Sequence, residues 1–391
     1  MRLRDSGVFV ALLLVACGDG DDGAGGENGR SGRLFEYAPP GELGKFPVGF
    51  VRMAFVDESR PENATADAAD RRTLPSVVWY PAPEATRAEP RASYSDFFTP
   101  SLAAVIATLA PPGFLDTASN SVFDAPVGGD GPYPVIVFSH GNGGLGVQSF
   151  FLTEYLASHG YVVVCPDHTG NALVTELPGG MIVNSGGEDG TYSLDRALAD
   201  RPPDVSFLVD SMTDLHASDP EGRFTGKLDL ENVGLTGHSF GGLTTLLAME
   251  ADSRFDAGAP MAPASPESSN IDRPVMFFTA SEDGTLSNAP TQANYRGLAG
   301  PKMLIDVVDA GHFSFSNGCP LGIGDGDGCG TGTRANGETF TFLQDSRVHA
   351  ITNFYQTALW GYFLKRVPRY ADDLLAQPFA ADVTIERDGM P

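Results

Sequence analysis

The residues in this chain best suited to nucleophilic chemistry are Gly237-His238-Ser239-Phe240-Gly241, a serine set between glycines. They follow a short apolar run, Val233-Gly234-Leu235, and precede a segment with helical spacing at Leu243, Leu246, Leu247 and Met249. A strand–turn–helix setting of this kind holds a serine hydroxyl in the open on a strained backbone, and a side chain at Gly237 or Gly241 would collide across so sharp a turn. Such a hydroxyl is a weak nucleophile until a base takes its proton, and the base must be kept in one tautomer by a carboxylate. Two later segments supply these groups. The apolar run from Pro274 ends at Ser281-Glu282-Asp283-Gly284, and the run from Lys302 ends at Ala310-Gly311-His312. Asp283 is expected to be the acid and His312 the base. Glu282 is the near alternative for the acid, whereas Asp306 and Asp309 stand too close to His312 along its own strand to be preferred.

A tetrahedral intermediate also needs donors for its anionic oxygen, and one backbone N–H there is worth about 2.7–4 kcal/mol of barrier. The residue after the nucleophile, Phe240, supplies the first amide. The second is expected from Asn142, by its main chain, in the turn His140-Gly141-Asn142-Gly143-Gly144 that follows the apolar run from Tyr133.

The elements that must position these groups alternate along the chain. YPVIVFSH, YVVVCPDH, VGLTGHS, PVMFFTAS and KMLIDVVD are short apolar runs of the type buried on both faces of a parallel sheet. Helical spacing separates them in SFFLTEYLASH, in residues 205–216 and in residues 240–249, and a last helix is expected over HAITNFYQTALWGYFLKR. VGFVRMAFVD and LPSVVWYP precede them as antiparallel opening strands. The expected fold class is α/β: an α/β-hydrolase fold with a doubly wound, mostly parallel sheet whose strand ends carry the site. Residues 94–127, with Phe97, Phe98, Val105, Ile106, Leu109 and Phe114, and residues 171–193 stand outside this alternation. They are expected to form pocket walls or a lid, or else packing over an edge of the sheet.

FSHGNGG, LASHGYVVVCPDHTG, RPPDVSFLVD, GHSFGG, SEDGT and AGHFSFS together resemble the platelet-activating-factor acetylhydrolase and dienelactone-hydrolase-like serine esterases. The chain is also similar to bacterial cutinases and polyester hydrolases in LASHGYVV and in the run APMAPASPESS. The resemblance spans residues 47–366 and implies Ser239, Asp283 and His312 as a triad, with Phe240 and Asn142 at the oxyanion. Two departures bear on substrate. Ala264 stands where polyester hydrolases of this type carry a clamp tryptophan, and the nucleophile is serine where dienelactone hydrolases proper use cysteine.

Composition adds an address. Two early arginines and the apolar stretch Val8 to Ala16, too short to span a bilayer as a mature helix, form a signal peptide over residues 1–17. Leu14-Val15-Ala16-Cys17 has the shape of a bacterial lipobox, which makes Cys17 the expected lipidation site; the alternative is an ordinary secretory signal. Residues 18–33 are poor in apolar side chains and form a flexible linker, and residues 34–391 form one catalytic domain. The protein is therefore expected to be exported and held by its lipid to a membrane, facing the periplasm or the cell exterior. Cys319 and Cys329 bracket a glycine-rich loop and are expected to pair in an oxidising compartment, bracing the loop behind His312, while Cys165 lies in an apolar strand as a core residue.

The net charge of −25 and the lack of any Lys/Arg cluster argue against nucleic acid as a partner. No zinc-type spacing is present, and Asp325-Gly326-Asp327 departs from the calcium-loop pattern, so neither a metal nor a cofactor is expected. The sequence leaves oligomeric state open. The expected activity is hydrolysis of neutral short-acyl esters, small-molecule or lipid, through an acyl-enzyme. It should fall on acidification through the ordinary histidine range, since a protonated imidazole cannot act as base. Alternatives are a phospholipase acting on acetylated or oxidised phospholipids, a cutinase-like polyester hydrolase, and a non-catalytic surface lipoprotein that binds through the same fold.

Overall fold

The computed structural model describes residues 35–184 and 192–391. The leader with Cys17, the linker at residues 18–33 and part of the second insertion lie outside the described residues.

The chain opens with two long strands, β1 (Val48–Pro61) and β2 (Arg71–Pro81), paired antiparallel with Phe50 opposite Trp79. A short strand, β3 (Ser121–Phe123), lies parallel to β1 at the sheet edge. Next come β4 (Tyr133–Ser139) and β5 (Val162–Pro166), then the hairpin of β6 (Val174–Leu177) and β7 (Gly180–Val183). The site-bearing half contains β8 (Leu228–His238), β9 (Phe255–Met261), β10 (Val275–Ala280) and β11 (Lys302–Val307). A second hairpin, β12 (Thr331–Thr333) with β13 (Thr339–Thr341), precedes the closing strand β14 (Val383–Asp388). Among the described residues one ten-stranded sheet has the order β14-β11-β10-β9-β8-β4-β5-β2-β1-β3. Strands β11 to β5 in that order run parallel, β14 and β2 run against their neighbours, and β1 and β3 beyond β2 run parallel to each other.

Helices cover both faces, as buried parallel strands require. One face packs α1 (Pro100–Leu109), α2 (Phe150–Ser158), α6 (Asp345–Phe363) and α7 (Tyr370–Leu375), with Leu152, Leu156, Ile351 and Trp360 against Ile136 and Val163. The other packs α3 (Leu194–Ala217), α4 (Phe240–Ala251) and α5 (Asn288–Gly297), with Leu208, Leu246 and Tyr295 over Val135, Leu235 and Phe277. Successive β4 residues alternate between these cores, Ile136 and Phe138 facing one and Val135 and Val137 the other.

Several elements differ from the expectation, among them β9, the start of α3 and β14. Strand β9 is built on FDAGAPM, whose glycine and proline argue against a strand, yet it fills the gap between β8 and β10 because its small residues fit under α4. Helix α3 begins a full eleven residues before Val205 and runs through Pro202 and Pro203. Ser193 caps it, accepting from the Arg196 amide, and the buried Arg201 and Asp204 anchor its proline-containing turn. Strand β14 alternates in burial as an edge strand does and was not foreseen. In residues 94–127, Phe97 packs its ring on Phe50, Trp79 and Phe150, and Leu102 and Ile106 are buried in the same core.

Candidate active site

Ser239 stands between the end of β8 and the start of α4 with φ 57° and ψ −116°, a strained conformation for a residue with a side chain. The glycines around it are sterically required. A Cβ at Gly241 would sit 1.8 Å from the Ser139 carbonyl oxygen, and one at Gly237 would sit 2.5 Å from the Gly241 oxygen. Ser239 itself is only half-buried, so its hydroxyl remains within reach of solvent.

The structure brings the three distant groups together. Ser239 Oγ donates to His312 Nε2 at 2.9 Å, and His312 Nδ1 donates to Asp283 Oδ2 at 2.8 Å. Because a carboxylate only accepts, this contact fixes the proton on Nδ1 and leaves Nε2 as the acceptor. The other Asp283 oxygen accepts the amides of Thr285 and Leu286 at 3.0 and 2.7 Å, which orients the carboxylate. Glu282 faces elsewhere: it pairs with Arg334, which also bonds Asp309 at 2.5 Å. Asp306 is occupied on its strand, accepting from the Thr279 hydroxyl.

Asn142 is exposed in the turn after β4, and Phe240 is the first residue of α4. Among the described residues neither main-chain N–H is engaged by a protein acceptor, while the neighbouring amides of Gly141, Gly143 and Gly144 all are. Gly143 donates to the Asn171 carbonyl at 3.0 Å, and Asn171 Nδ2 donates to Asn142 Oδ1 at 2.7 Å. Gly141 donates to Gln148 Oε1, Gln148 Nε2 donates to His238 Nδ1, and His238 Nε2 donates to the His312 carbonyl. His238 thus ties the oxyanion turn to the loop carrying the base. Burial and the neighbouring His312 ring pull it down to about 3, so it stays neutral in this role.

A network of charges lies behind the turn. Arg72 pairs with Glu62 and with Asp204, Arg60 also reaches Asp204, and His168 Nδ1 donates to Asp204 Oδ2 at 2.9 Å. Burial and the nearby Arg201 pull His168 down to about 3, so this contact joins a neutral imidazole to a carboxylate. Asp204 is itself held far below the usual carboxylate range, its burial outweighed by Arg72 and the bond from His168.

On the opposite side, Cys319 and Cys329 form the expected disulfide. The loop they close brings Asp327 against both the acid and the base. Its Oδ1 accepts the amides of His312 at 2.8 Å and Gly284 at 2.9 Å, and its Oδ2 accepts the Thr285 hydroxyl at 2.7 Å. The Phe313 amide donates to the Asp327 carbonyl, completing the tie. Gly311 lies so close to this loop that a Cβ would meet the Asp327 carbonyl carbon at 2.3 Å. The Asp327 carboxylate is therefore an acceptor for three protein donors, and among the described residues no cluster of His, Cys, Asp and Glu has the grouping of a metal site.

Sequence reasoning missed Gln148, Asn171, Arg201 and the role of His238. Gln148 and Asn171 carry no pattern of their own; the only signal was their nearness to the two glycine-rich turns. A cavity of about 580 Å³ bordered by Phe46, Tyr133, His159 and Lys365 lies at the opposite ends of β4 and β5, and no residue of the Ser239 group lines it.

The sequence matches the family model described as platelet-activating factor acetylhydrolase, isoform II, over residues 64–177, and that of the dienelactone hydrolase family over residues 123–317. It is 25% identical over 174 residues to a platelet-activating factor acetylhydrolase of Cavia porcellus, covering 38% of this chain and 40% of that protein. To the protein of the same name in Bos taurus it is 29% identical over 180 residues, again 38% of this chain and 40% of the relative. The match thus spans about two fifths of these relatives. A solved ferulic acid esterase from Streptomyces cinnamoneus superposes with a TM-score of 0.68 at 24% identity, over 89% of this chain and 98% of that one. The chain has the α/β-hydrolase fold and is similar to the platelet-activating-factor acetylhydrolase and dienelactone-hydrolase-like esterases of that fold.

Proposed function

We propose that the protein is a serine carboxylic-ester hydrolase that cleaves neutral short-acyl esters through an acyl-enzyme. The observation that carries this is the hydrogen-bonded line from Ser239 through His312 to Asp283, set at a strained turn beside two unengaged amides. His312 Nε2 takes the Ser239 proton as Oγ attacks the ester carbonyl carbon. Asp283 stabilises the imidazolium that forms. The carbonyl oxygen, now anionic, is held by the amides of Phe240 and Asn142. Collapse breaks the bond to the alcohol, which leaves with the proton from His312. Water, deprotonated by the same imidazole, then releases the acid and restores Ser239.

Export belongs to the same proposal. The leader ending at Cys17 supports it, and the Cys319–Cys329 disulfide fits an oxidising compartment. Acylation of Cys17 would hold the enzyme at a membrane. A second reading, hydrolysis of acetylated or oxidatively shortened phospholipids, is favoured by the likeness to the acetylhydrolases. Polyester hydrolysis is disfavoured by Ala264.

Hydrolysis of p-nitrophenyl acetate, butyrate and decanoate and of an acetyl-ether phospholipid by the purified full-length chain tests the proposal, alongside fluorophosphonate labelling. Turnover that vanishes in Ser239→Ala is expected, with acetate ahead of decanoate. A folded chain that is inert on all four and unlabelled would leave the fold as a binding module.

A further inference from the structure

Arg201 is fully buried, and every group its guanidinium touches is neutral. Nη1 donates to Asn171 Oδ1 at 2.9 Å, Nη2 donates to Ser139 Oγ at 2.8 Å and to the His140 carbonyl, and Nε has no partner among the described residues. Its Cζ lies over the Phe240 ring, 4.9 Å from the centroid. Among the described residues no carboxylate oxygen comes within ion-pair distance of it, although Asp204 is near enough to act on it through space. Burial pulls Arg201 down to about 9, which leaves it charged at neutral pH. A buried cation without a direct counter-ion is costly.

The contacts of this one side chain converge on the two proposed oxyanion donors. Asn171 receives Nη1 on its Oδ1, and with its other amide atom donates to Asn142 Oδ1; its carbonyl receives Gly143. Nη2 fixes the His140 carbonyl at the start of the same turn. Phe240, whose amide is the second donor, carries the ring on which the guanidinium lies. Ser139, His168 and Asp204 hold Arg201 from behind: Ser139 accepts from Nη2 and donates to His168 Nε2 at 2.9 Å. We propose that Arg201, acting through Asn171, is the positioning residue of the oxyanion hole, holding the Asn142 turn and the Phe240 residue in register from a single fixed point. The proposal rests on the hydrolase function given above.

Two features follow. The planar fork spans Asn171 and His140 at once, which a lysine ammonium at the end of a flexible stem cannot do. The brace also serves the transition state more than the ground state, because the donors it aligns matter most when the carbonyl oxygen becomes anionic.

The test compares the full chain with Arg201→Lys, Asn171→Ala and Asn171→Asp, reading kcat and KM on p-nitrophenyl acetate, inhibition by phenylboronic acid, the fraction of serine titrated by a fluorophosphonate, and thermal midpoint. Phenylboronic acid forms a tetrahedral anion on a reactive serine and so reports on the oxyanion donors. Loss of one aligned donor lowers kcat by about 10²–10³, and misalignment is expected to give roughly 10–100-fold. KM should stay within about three-fold, and boronate affinity should fall in step with kcat. Asn171→Asp is the discriminating variant: it restores an acceptor for Arg201 but cannot donate to Asn142. It is expected to keep the thermal midpoint and the titrated fraction while losing kcat. If Arg201→Lys fails to fold, the two Asn171 variants decide. An active wild type whose folded Asn171 variants keep kcat within two-fold overturns the positioning role alone, as does a loss that only tracks the titrated fraction. An inert and unlabelled wild type overturns the hydrolase function, and this role with it.

Discussion

Among the described residues stand two serine–histidine–aspartate lines with nearly the same hydrogen bonds. Ser239, His312 and Asp283 are joined at 2.9 and 2.8 Å; Ser139, His168 and Asp204 are joined at 2.9 and 2.9 Å. They begin on neighbouring strands, for Ser139 at the end of β4 is the register partner of Gly237 on β8. What separates them is access and surroundings. Ser139 is fully buried, and its oxygen also accepts from Arg201. Ser239 stands half-buried on a strained turn beside amides free to bind an anion. The comparison teaches that such a line marks an attacking serine only where a substrate can arrive and a new negative charge can be met. Elsewhere it is a way to hold a buried charge.

Breaking each line should therefore give different kinds of loss. Ser239→Ala is expected to lower ester hydrolysis by more than about 10³-fold and to abolish fluorophosphonate labelling while leaving the thermal midpoint in place. Ser139→Ala should remain labelled and lose stability instead, by about 1–3 kcal/mol, because Arg201 and His168 each lose a partner in a dry site. Labelling of Ser139 by the probe, read by peptide mass spectrometry, would contradict the distinction.

The disulfide loop sharpens the comparison from the other side, since Asp327 braces His312 and Asp283 as Arg201 braces the oxyanion turn. Removing Cys319 and Cys329 together is expected to cost about 2–3 kcal/mol by loop entropy. Asp327→Asn, which keeps one acceptor oxygen, should lower kcat by about ten-fold at most with KM unchanged, because its partners are two main-chain amides and the Thr285 hydroxyl of the loops. A steady-state kinetic comparison in which KM alone moved would place Asp327 against substrate instead.

A smaller, graded effect comes from pH. His140, His159, His168, His238 and His349 are all held neutral chiefly by burial, to about 3 for His168 and His238 and about 4 for His159 and His349. Between the ordinary histidine value near 6.5 and about 4 the unfolded chain binds more protons than the folded one, so stability falls as pH falls through that window. Asp167, raised to about 7 by burial, acts oppositely and loses stability as pH rises from about 4 to 7, offsetting part of the slope. Thermal melts from pH 7 to pH 4 should show a falling midpoint; a midpoint constant over that range contradicts the neutral imidazoles.

The elbow, the order of acid and base, and the alternation of strands and helices were legible in the sequence because each is a local matter. Gly237 and Gly241 are demanded by collisions a few residues away, and apolar runs at the periods of strand and helix announce buried elements. Strand β9 was hidden because its small residues fit under α4 at the expense of strand propensity, and the first half of α3, before Val205, because tertiary anchoring of Arg201 and Asp204 overrides two prolines. The expectation of Asp283 over Glu282 had little local ground. Both follow the same strand, and only the arrival of His312 at one and Arg334 at the other separates them.

The sequence by itself thus determined a nucleophile on a turn, a sheet to present it and the groups able to serve it, since steric limits and hydrophobic period are written in neighbouring residues. The tertiary structure alone decided which groups meet: that Asp327 reaches across 15 residues to the His312 amide, that His238 joins two loops, and that Arg201 lies behind the oxyanion turn. Those contacts join residues far apart in the chain, and their geometry exists only once the packed sheet has fixed strand register and helix placement.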